Sequence, residues 1–156
     1  MTALAALAAA GALGACGATP SASPDQRAVR DTAARYFAAE RRGDGRAFCA
    51  LLTSRFLAFE HRVARAMGPH VTCAQAQSAH PPGPGNEDLP YLNKARLAVT
   101  AGIRVGAASV DGDHATVSYS APALDEKTVR PTGARHTGRL FLAKERGRWR
   151  IDLSPN

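Results

Sequence analysis

Cysteine, lysine and aromatic residues are scarce in this sequence. It has three Cys, three Lys among its twenty basic residues, and 6% Phe, Trp and Tyr. No Cys-x-x-Cys occurs, and no two histidines stand at His-x-His or His-Glu-x-x-His spacing. The sequence therefore makes no case for a metal site, and no motif in it asks for a cofactor. Its notable apolar run, residues 3–13 "ALAALAAAGAL", is too short to cross a bilayer as a helix, which needs about 20 residues. A chain of 156 residues suits one ordinary domain and is short for two. An apolar fraction of 45% excludes collagen-like and fully disordered classes. The net charge of +7 is carried mostly by arginine. With abundant Ala, Gly and Pro, that excess reads as the codon bias of a GC-rich bacterial genome, so nucleic acid is not an expected partner.

The apolar run has the length of a secretory h-region, about 7–15 residues. It ends at Leu13-Gly14-Ala15-Cys16, which resembles the bacterial lipobox, where cleavage exposes a cysteine that then carries lipid. The following "GATPSASPD" has the Gly, Ser and Pro content of a flexible tether. Met1-Thr2 lacks the basic residues that usually open such a segment, and the bland alternative is an alanine-rich tail with an idle thiol. The agreement of run, box and tether predicts a signal peptide at 1–15, a tether at 16–24 and one domain at 25–156. Cys16 would be the lipidated residue, with membrane lipid as its partner, and the domain would sit outside the cytoplasmic membrane.

Lipidation removes one thiol of three, and Cys49 and Cys73 remain as a pair in an oxidising compartment. A bridge closing a loop of about 25 residues stabilises by roughly 3.5 kcal/mol in the chain-entropy model. A zinc site and a Cys49 nucleophile both lack local partners.

Helical spacing fills the first half. Ser23 can cap a helix that opens at Pro24, carries Val29, Ala33, Tyr36 and Phe37 inward, and stops at Gly43. Asp44 can cap a short second helix with Phe48 and Leu52. A third, from Ser54 to Gly68-Pro69, would bury Phe56, Phe59, Val63 and Met67. Thr72 can cap a turn holding Cys73. Residues 79–90, "AHPPGPGNEDLP", form a proline-rich loop, and 91–98 suit either helix or strand. Alternating residues then predict strands. Val105 and Ala107 share a face with Val117 and Tyr119 only if the intervening loop has an odd number of residues. Residues 122–137 read as a polar connection. "GRLFLAKE" and "RWRIDL" flank a turn at Arg146-Gly147, with Trp149, Ile151 and Leu153 on one face and Asp152 on the other. The predicted fold is α+β, with N-terminal helices on a curved antiparallel sheet of about four strands.

In order, "AVRDTAARYFAAERRGDGRAFCALLT", "VGAASVDGDHATVSY" and "ERGRWRIDL" resemble the nuclear-transport-factor-two-like superfamily. That group includes the SnoaL-like cyclases and ketosteroid isomerases. The resemblance covers roughly residues 25–154 and is strongest to small lipoproteins of high-GC Gram-positive bacteria, in which a cysteine pair like Cys49 and Cys73 recurs. It implies a cystatin-like cone around a pocket, with Tyr36, Phe37, Phe59, Val105, Val117, Tyr119 and Trp149 as the candidate lining.

Enzymes of this superfamily need a carboxylate or His aimed into the cone. Asp111, Asp113, Asp125 and Glu126 fall in turns or connections, while Asp31, Asp44 and Glu60 fall at caps or polar helix faces. Histidines 61, 70, 80, 114 and 136 fall on surfaces or loops. The sequence therefore predicts no catalytic residue. It favours a non-catalytic domain that takes a small apolar ligand or an envelope protein, with a SnoaL-like enzyme as the alternative. Net +7 near a membrane would also draw the domain toward anionic lipid.

Overall fold

A computed structural model describes residues 21–78 and 89–153, with 89–93 as backbone only. Cys16, the lipobox, the early tether and most of the proline-rich loop lie outside the described residues. Five helices run α1 Pro24–Arg42, α2 Gly45–Ala50, α3 Ser54–Met67, α4 Cys73–Ala76 and α5 Leu89–Ala101. Four strands follow: β1 Arg104–Asp111, β2 His114–Leu124, β3 Pro131–Glu145 and β4 Arg148–Asp152. They form one antiparallel sheet in the order β1-β2-β3-β4. This is the α+β layout predicted from the sequence, and residues 91–98 resolve as helix.

The helix ends obey local chemistry. The Ser23 hydroxyl accepts from the Gln26 amide, and the Gln26 side chain accepts from the Ser23 amide, which closes a capping box. Gly43 ends α1 at φ 63°, where a side chain would be strained. Asp44, Thr53 and Thr72 cap α2, α3 and α4 through their side-chain oxygens.

The hairpin from β1 to β2 solves its register differently from the sequence expectation. Asp111 pairs with His114, so the loop is the two residues Gly112-Asp113. Ala108 pairs with Val117, but Val105 pairs with Tyr119, with an irregularity between them. A bulge at Gly106-Ala107 supplies the odd residue that the loop does not. Residues 122–137 are not a loose connection either. β2 extends to Leu124 and pairs with Pro131, and only 125–130 turn. That turn is tied by Asp125, which accepts from the amide and hydroxyl of Thr128. Both hydrogen bonds hold its carboxyl below the ordinary range.

Val29, Ala33, Phe48, Leu52, Val117, Leu142, Trp149 and Ile151 form the buried core, with Tyr36 and Val105 packed against it. Leu52 forms a parallel bridge to Ile151, and the amides of Thr53 and Ile151 donate to Ile151 O and Leu51 O at 2.8 Å each. Cys49 and Cys73 are disulfide-bonded with Cα atoms 6.3 Å apart, inside the usual range. Gly45 makes that approach possible. A Cβ there would lie 2.0 Å from the Ala74 carbonyl oxygen, so α2 and α4 meet backbone to backbone.

Two expectations fail on side-chain placement. Phe59, Val63 and Met67 are 38%, 41% and 39% exposed, and the buried residues of α3 are Glu60 and Ala64. Periodicity picks the most apolar face, but α4 packs on α3 beside the adjacent face, where Glu60 bonds Gln77. Asp152 does not face open solvent. Its carboxylate accepts from the Thr53 hydroxyl at 2.7 Å and from Arg55 at 2.9 Å. Burial opposes its charge, but these bonds outweigh burial and hold its carboxyl below the ordinary range.

Trp149 is 6% exposed, and its Nε1 donates to Asp25 at 3.1 Å. Trp149→Ala should cost about 3–5 kcal/mol in chemical denaturation. Native fluorescence from this one tryptophan should be blue-shifted; emission at the water-exposed maximum would contradict its burial.

Candidate functional site

One buried and four half-buried polar residues that interact electrostatically come from four elements. Tyr36 and Glu40 are four residues apart on α1 and so share a face. α3 contributes Glu60, α5 contributes Arg96 and β2 contributes Tyr119. Glu60 is 7% exposed, and its carboxylate accepts from Gln77 Nε2 at 2.7 Å. The Tyr36 ring lies 4.9 Å from Phe48 and 5.4 Å from Phe37, and Phe37 lies 5.0 Å from Tyr119. Tyr119 in turn covers Gly138, where a Cβ would fall 2.5 Å from its ring. Removing that glycine's hydrogen space would push Tyr119 out of the cluster.

Burial sets the electrostatics. It pushes the Tyr36 phenol far above its ordinary 10.0, and the charges of Glu40 and Glu60 and the neighbouring Tyr119 add to the effect. Tyr36 is thus a permanent hydrogen-bond donor at any physiological pH. Burial also raises the Glu40 carboxyl above its ordinary 4.5, against the opposing pull of Arg96. The Arg96 Nε is buried with no hydrogen-bond partner. A carboxyl raised by burial, near an arginine whose Nε is unpaired, is a group that can hold a proton.

The sequence reading missed this cluster. It placed Glu60 on a polar helix face, because α3 looked more apolar along Phe59, Val63 and Met67. Glu40 was hidden at the head of Glu40-Arg41-Arg42, which reads as a solvated basic run. No local pattern marks either residue, since their partners lie on other elements.

Of the expected pocket lining, all but Phe59 lies in or against one packed cluster. Tyr36 and Tyr119 also belong to the polar set, while Phe37, Val117 and Trp149 are buried core residues and Phe59 is exposed. Phe37 and Val105 border a small cavity of about 150 Å³ between α1 and β1. Trp149 borders an open cleft of about 920 Å³, which carries Asp25, Asp31, Arg35, Lys144 and Arg148. Among the described residues, no group of three His, Cys, Asp or Glu is placed to hold a metal ion.

Glu40 gives a pH signature. Its folded value is raised, so the stability of its protonated form is complete below 4.5 and is lost as pH rises through the folded value. Glu40→Gln should be more stable than the parent at neutral pH, and the gap should close by about pH 4. A carbon-13 titration of Glu40 with its midpoint at or below 4.5 would contradict the assignment.

No family model matches the chain, and no curated protein matches it. Among solved structures, it is similar to a Campylobacter jejuni protein described as an NTF2-like transpeptidase. The two share 12% identity over 80% of this chain and 96% of that one, with a TM-score of 0.40. A superposition this loose carries no inference about activity.

Proposed function

We propose that this protein is an extracytoplasmic lipoprotein, acylated on Cys16, whose domain at 25–156 binds a small ligand or an envelope protein without turning over a substrate. The observation that carries the reading is the Cys49–Cys73 disulfide. Such bonds persist in secreted domains and are rare in the cytosol. The bridge leaves Cys16 as the thiol available for a lipid. Among the described residues, no helix is long and apolar enough to cross a membrane.

The interior cluster favours a second reading. Glu40 and Glu60 beside Tyr36 are the inward carboxylates that a SnoaL-like enzyme acting on a small substrate would need. A turnover abolished by Glu40→Gln or Glu60→Gln would establish it. Native mass spectrometry of membrane-purified protein that finds a retained, unaltered small molecule would favour binding.

Metabolic labelling with a fatty-acid analogue should tag the protein and leave Cys16→Ala untagged. Thiol titration of the secreted protein should find Cys49 and Cys73 unreactive until reduction. Equal labelling of both forms, or two free thiols before reduction, would sink the proposal.

A further inference from the structure

We infer that the exposed face of α3 is a second membrane contact, an amphipathic surface that takes anionic phospholipid. The location rests on the Cys16 anchor; the surface itself does not. Phe59, Val63 and Met67 stand four residues apart and form one apolar stripe along the helix, each more than a third exposed. Arg55 and Arg62 are exposed on the Phe59 side of the stripe and Arg65 is exposed on the next face round, whereas the acid of this helix, Glu60, is buried. The outward charge of α3 is therefore of one sign. Arg55 is partly committed to Asp152 at 2.9 Å, and Arg62 lies 5.7 Å from the Phe59 ring centre. A surface recess of about 450 Å³ is bounded by Ala58, His61, Arg62 and Arg65, on the basic side of the stripe.

An apolar stripe with arginines along its margin and no outward acid matches a bilayer interface. Acyl chains accept the stripe and headgroup phosphates accept the arginines. A free anionic polymer would use the arginines and leave the stripe in water.

Geometry supports the same partner. Seven residues join Cys16 to Ser23 and span at most about 25 Å. Asp25, in the first turn of α1, bonds Lys144, and Ser54, at the start of α3, donates to Glu145 at 3.0 Å. These contacts dock both helix starts on adjacent residues of β3. α3 is then about 21 Å long, so a lipid on Cys16 keeps the stripe within reach of the surface.

The test uses the full chain with Cys16→Ser, so no acyl group contributes and failure of the anchor leaves the result intact. Any contribution from residues 3–13 is common to every variant. Co-sedimentation compares phosphatidylglycerol-containing vesicles with pure phosphatidylcholine. Binding should favour the anionic vesicles and fall with salt. Arg62→Gln with Arg65→Gln should weaken binding about fivefold per arginine. Phe59→Ser, Val63→Ser and Met67→Ser together should abolish it, and Val63→Ser with Met67→Ser alone should weaken it, with circular dichroism showing each variant folded at the assay temperature.

Equal binding to both vesicles, or a serine triple variant that binds like the parent, overturns the inference. Loss of vesicle binding by the arginine variant alone, with full competition by polyphosphate, assigns the face to an anionic polymer instead. A concentration-dependent dimer that the serine variant dissolves, with no vesicle binding, assigns it to a second copy of the chain.

Discussion

Asp25 and Gln26 are neighbours in sequence and bond to opposite edges of the sheet. Asp25 accepts from Trp149 on β4, and Gln26 donates to the Ala108 carbonyl on β1. Four flat strands would hold those edges about 14 Å apart. One helix turn reaching both ties the two edges of the sheet to α1. The contacts of α1 with β1, β2 and β4 follow from this closure. The closure is electrostatic as well as apolar. Hydrogen bonds from Trp149 and then Lys144 hold the Asp25 carboxyl below its ordinary range, and Lys144 also lies 5.1 Å from the Trp149 ring centre.

The disulfide performs the corresponding task for the helices. It locks α4 against α2, and α4 packs on α3, where Glu60 bonds Gln77. That contact sets the rotation of α3 about its own axis. One consequence is Glu60 inside the domain, satisfied by Gln77 from the end of α4. The other is Phe59, Val63 and Met67 outside. The interior polar cluster and the exposed apolar stripe are two results of one rotation.

Beside its apolar core the domain carries a set of half-buried polar groups and the buried Glu60. A half-buried carboxyl raised above its ordinary range by burial, near a phenol raised likewise, is a costly arrangement for a purely structural core. Natural folds tolerate such costs mainly where a ligand or a reaction uses them. That keeps an enzymatic role beside the binding role, and it directs attention to Glu40, Glu60 and Arg96.

Local chemistry made much of this protein legible in its sequence. Ser23, Asp44 and Thr72 fix helix starts through bonds to amides three residues away, and Gly43 fixes an end. Alternation fixed the strand residues of β4, and the even count left after Cys16 pointed to the Cys49–Cys73 pair. What spans the fold was not legible. The bulge at Gly106-Ala107, the rotation of α3 and the inward turn of Glu40 and Glu60 each depend on a partner that is distant in sequence. Hydrophobic periodicity ranks the faces of an isolated helix by their own residues. Which face is buried is decided by the element that packs there, and for α3 that element is held in place by a covalent bond to α2.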